Sequence, residues 1–285
     1  MTDRPDSVVR AITDDGAFRV ITARTTDTVR GAVAAQHGTG QAARSFGELL
    51  TGAILFRETM APDLRVQGIL RLAQGKGSLV ADSDPSGKTR GLIQVPERGA
   101  ELSLGDGAIL QMMRTLPSGR INQGMVGVPV EGGIGAALMA YMQTSEQIVS
   151  MLAVGTMMHD ESIVSAGGYM VQLLPEVGRG PLLVMTERLR EFEEMDSHLL
   201  DESFSPEWLL EQLLYGMPFT RLDERKVGFD CWCDELRLLS AFATLPRSDL
   251  EHLLEGGEVL EISCDYCGRE YRIAPAQLQG LLEPS

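Results

Sequence analysis

Apolar and polar residues alternate over residues 17–24 (AFRVITAR), a period of two that predicts a strand. Residues 27–36 read as a helix stopped at His37-Gly38. Residues 41–60 are apolar, rich in Ala and Leu and free of proline, so they predict a buried helix, with Pro62 just past its end. Strand-like runs follow at 64–72, 78–82, 89–95 and 108–115, separated by turn-rich pieces such as Gly75-Lys76-Gly77 and Asp84-Pro85-Ser86-Gly87. The pattern is helical over 132–142 and strand-like again over 148–158 and 168–174. This order predicts an α+β fold, a large domain of antiparallel sheet and helices rather than repeated βαβ units.

The character changes at residues 175–181 (PEVGRGP). Residues 187–200 predict a helix with Leu189, Phe192, Met195 and Leu199 on one stripe and Glu191, Glu193, Glu194 and Asp196 on the other face. Ser205-Pro206-Glu207 is a helix start, with Ser as N-cap and Pro at the first helical position; that helix runs through Leu209, Leu210, Leu213 and Leu214 to Gly216 and Pro218. Short helices are marginal alone. Their apolar stripes therefore predict a docked but weakly held linker. The tail continues with a helix over 236–245 ended by Pro246, a second helix opened by a Ser248/Glu251 capping box and closed at Gly256-Gly257, a hairpin of 259–263 with 270–273, and a last helix from Pro275. The expected organisation is a core over 1–178, a helical linker over 179–230 and a small C-terminal domain over 231–285.

Composition adds a charge asymmetry. The 285-residue chain carries net −15, with hydrophobic and charged fractions, 44% and 23%, that are ordinary for a globular protein. Residues 1–180 hold 16 Lys/Arg against 18 Asp/Glu, and residues 181–285 hold 9 against 22, so nearly all of the excess lies in linker and tail. Such a surface repels phosphates, which argues against a nucleic-acid partner, and excess negative charge opposes compaction of the linker. No apolar run is long enough to span a bilayer, and the polar start Met1-Thr2-Asp3-Arg4 lacks the apolar region of a secretory signal. A cytoplasmic location and no membrane partner are expected.

All four cysteines fall in the tail, as Cys231-Trp232-Cys233 and Cys264-Asp265-Tyr266-Cys267. Four thiolates are the ligand set of one closed tetrahedral zinc site, and the same thiols can oxidise to two disulfides. A C-x-x-C turn after a strand points two sulfurs at one metal, and the distant pair completes the shell. About 55 residues make a poor core alone, so the metal would supply much of the folding energy of the tail. One reading is a permanent zinc staple in an interaction protein that is redox-inert. A disulfide oxidoreductase is disfavoured, because such a motif should open a helix whereas a strand follows here. His252 lies between the pairs, but four cysteines already fill the shell.

The spacing C-x-C, about thirty residues, then C-x-x-C resembles the redox-regulated holdase chaperones of the heat shock protein 33 family. YMQTSEQI at 141–148 is similar to that family's Y-x-x-S-E-Q motif, and SAGGYMVQLLP at 165–175 to its A-G-G-x-x-x-Q-x-x-P stretch. Arg90-Gly91, Leu213-Leu214-Tyr215 and Val227-Gly228-Phe229-Asp230 also fit. The resemblance implies one zinc on Cys231, Cys233, Cys264 and Cys267 in a reduced, inactive state. It implies disulfides Cys231–Cys233 and Cys264–Cys267 on oxidation, with loss of zinc, unfolding of the tail and undocking of the linker. Unfolding client proteins would then be held without ATP, with a homodimer possible. Asp234-Glu235 stand where the family usually has a small polar and a basic residue; carboxylates beside a thiol disfavour its thiolate, so slower oxidation is expected.

No catalytic constellation is expected. Ser145-Glu146-Gln147 has no histidine near it in sequence and suits a cap or turn. His37, His159 and His198 are scattered singly, Gly75-Lys76-Gly77-Ser78 lacks phosphate-loop spacing, and Gly133-Ile134-Gly135 lacks the third glycine of a dinucleotide site. The 14 methionines suit a core, and adaptable Met surface also suits promiscuous apolar binding.

Overall fold

A computed structural model describes residues 4–59, 64–75, 77–95, 102, 104–105, 107–175 and 177–282. Residues up to Asp230 form one compact unit and those from Cys231 onward another.

The first unit holds two sheets. One has the order β10-β1-β2-β9-β8, with β1 Ser7–Thr13, β2 Phe18–Arg24, β8 Ser150–His159, β9 Ser162–Leu173 and β10 Phe219–Lys226, all antiparallel. The other has the order β11-β5-β4-β3-β6-β7. Its strands are β3 Arg65–Arg71, β4 Ser78–Ser83, β5 Lys88–Gln94, β6 Ile109–Thr115, β7 Ile121–Gly127 and β11 Gly228–Phe229, of which only the β11–β5 pair is parallel. Helix α1 (Thr26–Gln36) ends on His37 in the left-handed conformation, at the predicted stop. Helix α2 (Gly40–Glu58) is apolar around most of its circumference and buried along nearly all of it, packing against strands of both sheets. Helix α3 (Gly133–Tyr141) runs into a π-helical turn, Met142–Glu146.

The period of two explains why the five-stranded sheet is covered on both faces. Val8, Ile21, Ala23 and Met170 point into the α2 core; Val9, Phe18, Val20, Tyr169 and Val171 point to the other face. That second face is covered by α4 (Arg179–Arg190), α5 (Met195–Leu199) and α6 (Pro206–Leu213). Phe204 lies over Gly167 so closely that a Cβ there would meet its ring at 2.6 Å. The A-G-G segment thus supplies a bare seat for an aromatic of the α5–α6 connection. Arg44 of α2 pairs with Asp196 of α5, a second tie across this layer.

Several expectations are corrected. Strands β1, β7, β10 and β11 were not expected, and β10 and β11 put sheet pairing into the stretch expected to be a helical linker. The charged sequence of β10 (FTRLDERK) hides its strand character; its backbone pairs with β1 while Asp223 bonds Arg10 at 2.7 Å. The helix expected over 187–200 is broken into α4 and α5, yet Leu189, Phe192, Met195 and Leu199 are all buried, because both pieces meet the same sheet face. Met60, Pro62, Lys76 and Glu176, which entered the predicted boundaries, lie outside the described residues.

The second unit contains α7 (Glu235–Phe242), α8 (Arg247–Glu255), the hairpin β12 (Leu260–Ser263) and β13 (Glu270–Ile273), and α9 (Pro275–Leu282). The Ser248/Glu251 capping box does not form. Helix α8 begins two residues early, after Pro246, so Ser248 bonds Asp249 and Glu251 instead pairs with Arg247 at 2.8 Å.

Candidate metal centre

The hairpin sets the first half of the site. Its register, Leu260 opposite Ile273 through Ser263 opposite Glu270, leaves Cys264 to Arg269 as the connection. Cys264 N–H donates to Arg269 O at 2.9 Å and Gly268 N–H to Cys264 O at 2.8 Å, with Gly268 at φ +69°, a conformation glycine adopts without strain. Backbone N–H groups of Tyr266 and Cys267 also face the Cys264 sulfur, and that of Arg269 faces the Cys267 sulfur. Donors aimed at sulfur suit thiolates, the form that binds metal.

The other half is held by a helix start. Cys231 and Cys233 precede α7, whose N-cap is Asp234; its carboxylate accepts from Arg237 N–H at 2.7 Å. Glu235 accepts from the Gln277 side chain of α9. The two residues expected to tune the cysteines are thus also structural ties.

The four sulfurs lie within 4.8 Å of one another, with Cys231–Cys264 at 3.8 Å and Cys233–Cys267 at 3.4 Å. Sulfurs about 2.3 Å from a tetrahedral zinc are separated by roughly 3.8 Å. The spacing is close to that and far above the ~2.05 Å of a disulfide; all four cysteines are free thiols. Cys231 is buried and the others half-buried. The donor set, four soft sulfurs with no carboxylate among them, fits zinc.

The thiols are not equivalent. Burial raises the Cys233 thiol, but the Tyr271 hydroxyl, donating at 3.1 Å, and the neighbouring cysteines outweigh it and bring it down to about 7. Burial dominates at Cys264, which is raised, and at Cys267, which is pushed up to about 12. Tyr271 escaped the sequence reading. It looks like any strand aromatic until the hairpin places it beside a cysteine from another part of the chain.

Around this cluster the apolar core is small. Among the described residues only Leu250, Ile273 and Leu278 are fully buried in it, with residues such as Leu239, Phe242 and Ile262 packed partly against them. His252 is exposed and pairs with Glu255 at 3.2 Å, outside the sulfur cluster. His159 is exposed, and His198 stacks on Phe192 at 4.3 Å between centroids. Ser145 and Glu146 lie in the π-helical turn, with Gln147 left-handed at its end and Glu146 paired with Arg114, a turn role as expected.

The profile of the Hsp33 protein family matches residues 6–274. The chain belongs to the Hsp33 family. Among Hsp33 relatives, it is 30% identical to the 33 kDa chaperonin of Desulforamulus reducens over 98% of this chain and 97% of that protein. It is 27% identical to the 33 kDa chaperonin of Bacillus subtilis over 97% and 98%. The crystal structure of the 33 kDa chaperonin (heat shock protein 33 homolog) of Thermotoga maritima shares the fold, with TM-score 0.82 at 21% identity over 98% of both chains. The family is one of chaperones, and in this Hsp33 chain the four cysteines are gathered at metal-binding distance. Among the described residues no helix is long and apolar enough to cross a membrane.

Proposed function

We propose that this protein is a redox-switched, ATP-independent holdase. Cys231, Cys233, Cys264 and Cys267 hold one zinc in the reduced, inactive form, and the metal supplies the cross-link that keeps the second unit folded. The observation carrying this reading is the combination of four free sulfurs within 4.8 Å with a core of three fully buried apolar side chains among the described residues. A unit so poorly filled depends on its cross-link.

Oxidation by hydrogen peroxide joins Cys231 to Cys233 and Cys264 to Cys267. Each pair of thiolates gives up two electrons and one S–S bond forms, while one peroxide takes two protons and leaves as two waters. The sulfurs then no longer hold the metal. The second unit loosens, and the segment over 179–230 follows. Val9, Phe18, Val20, Tyr169 and Val171, now covered by α4 to α6, become available to unfolding clients together with the apolar stripes of those helices. We assign the protein to the cytoplasm, with unfolded polypeptides as partners, no nucleic-acid or membrane partner, and a homodimer on oxidation. Asp234 and Glu235 moderate the rate at which the thiols react.

The test is to follow zinc with a chromogenic chelator and aggregation of a thermally unfolding client by light scattering, in the reduced and peroxide-treated protein. Zinc release and suppression of aggregation should appear together. Equal suppression in both states, or zinc retained after oxidation, would leave a permanent zinc staple instead.

A further inference from the structure

Strand β7 ends the six-stranded sheet, and among the described residues no strand lies beyond it. Its pairing with β6 identifies the open groups. Leu116 N–H donates to Arg120 O and Val128 N–H to Ala108 O, so the even-numbered residues of β7 bond β6. Ile121, Gln123, Met125 and Gly127 therefore direct their backbone N–H and C=O groups away from the sheet. The side chains of Ile121 and Met125 are 59% and 60% exposed and lie on one face with the exposed Ile109 of β6.

Edge strands are normally guarded by charge, proline, shortness or cover. In the other sheet, β10 carries Arg221, Asp223, Glu224, Arg225 and Lys226, and the uncharged edge β8 is packed by α2, α3 and α5; at the far end of this sheet β11 has two residues. The sequence of β7, INQGMVG, has neither charge nor proline over seven residues. Beside it is a cavity of about 310 Å³, lined by Arg114, Asn122, Gly124, Tyr141, Ser145 and Glu146. The S-E-Q turn forms one wall, so this motif acquires a place next to the edge.

We propose that the free edge of β7 is a strand-addition site for an extended, uncharged segment of an unfolding polypeptide. Backbone groups pair with any sequence, which suits a binder of many clients, and the exposed Ile and Met take apolar residues at alternate positions. The cavity receives a side chain from the other face of the added strand. A second copy of this chain is the weaker occupant, because two molecules of net −15 repel one another. The edge belongs to the sheet that α4 to α6 do not cover, so it is open without their undocking; alone it holds one strand of a client, and suppression of aggregation still requires the apolar layer beneath those helices. The proposal rests on the chaperone reading for its occupant, not on the redox switch.

The experiment measures fluorescence anisotropy of a labelled peptide of β7's length, alternating threonine and isoleucine, with the full-length reduced and oxidised protein. Met125→Pro removes an outward N–H without touching the bonds to β6, and an edge strand tolerates it. Met125→Thr keeps the N–H. Loss of a hydrogen bond weakens binding by about fivefold. Binding about fivefold weaker in Met125→Pro and within about twofold of wild type in Met125→Thr, in both redox states, supports the site. If Met125→Pro lowers the melting temperature, Gln123→Pro removes another outward N–H and is read the same way. Unchanged peptide binding in the folded proline variant overturns the proposal, as does a change in sedimentation with binding unaltered, which would make the occupant a second copy. Failure of oxidation to activate aggregation suppression would count against the redox switch while leaving the peptide result intact.

Discussion

Truncation of Leu209 to alanine tests whether packing of the linker helices holds the chaperone closed. Leu209 lies in α6 with no exposed surface, in the apolar layer shared with Val9, Val20 and Tyr169. Leu→Ala at such a site costs about 2–5 kcal/mol in lost transfer energy and cavity. At about 3 kcal/mol, the ratio of undocked to docked linker rises on the order of a hundredfold, since each 1.4 kcal/mol is tenfold. The strands are untouched, so the change acts on docking. Trp208 is half-buried beside Phe204, with ring centroids 6.5 Å apart, and reports the local environment. In a Trp232→Phe background it is the sole tryptophan. The assay compares reduced, zinc-loaded wild type and variant by Trp208 emission, by protease cleavage within 179–213 and by suppression of client aggregation. The variant should show red-shifted emission, faster cleavage and suppression without oxidant. Faster cleavage with no gain in suppression would refute the idea that this layer covers the working surface.

Three further outcomes follow from named contacts. Tyr271→Phe removes the hydroxyl that stabilises the Cys233 thiolate, so in the zinc-loaded protein protons compete better for that sulfur and the pH at which a chelator strips half of the metal should move upward; an unmoved midpoint means the hydroxyl does not act on the sulfur. Asp234→Ser with Glu235→Arg removes two negative charges while Ser keeps a capping oxygen for α7, and zinc release by peroxide should become faster; equal rates would exclude a tuning role. Burial pushes Glu48 up to about 7 against the pull of Arg44, so the folded state binds its proton more tightly than the unfolded chain does. That contribution to stability is complete below the ordinary carboxylate range and is lost as pH rises through about 7. Glu48→Gln should therefore flatten the fall in the urea midpoint between acid and neutral pH, and an unchanged slope would place its origin elsewhere.

Local chemistry made much of this protein legible in its sequence. Ser205 caps α6 through a bond from Trp208 N–H at 3.1 Å, and Cys264 to Gly268 form the turn expected between two short strands. The four sulfurs that the spacing pointed to do converge. Each of these depends on residues a few positions apart, or on a ligand set whose chemistry permits few arrangements. The tertiary structure decided what depends on a distant partner. The charged β10 is a strand because β1 offers it a backbone edge, and the periodic stretch over 187–200 breaks where two pieces fit the sheet better than one. Tyr271 meets Cys233, Glu146 meets Arg114 and Arg44 meets Asp196 only after folding. Hydropathy records whether a residue prefers water or a core; it carries no address for the partner, and backbone pairing at an edge leaves almost no trace in side-chain polarity.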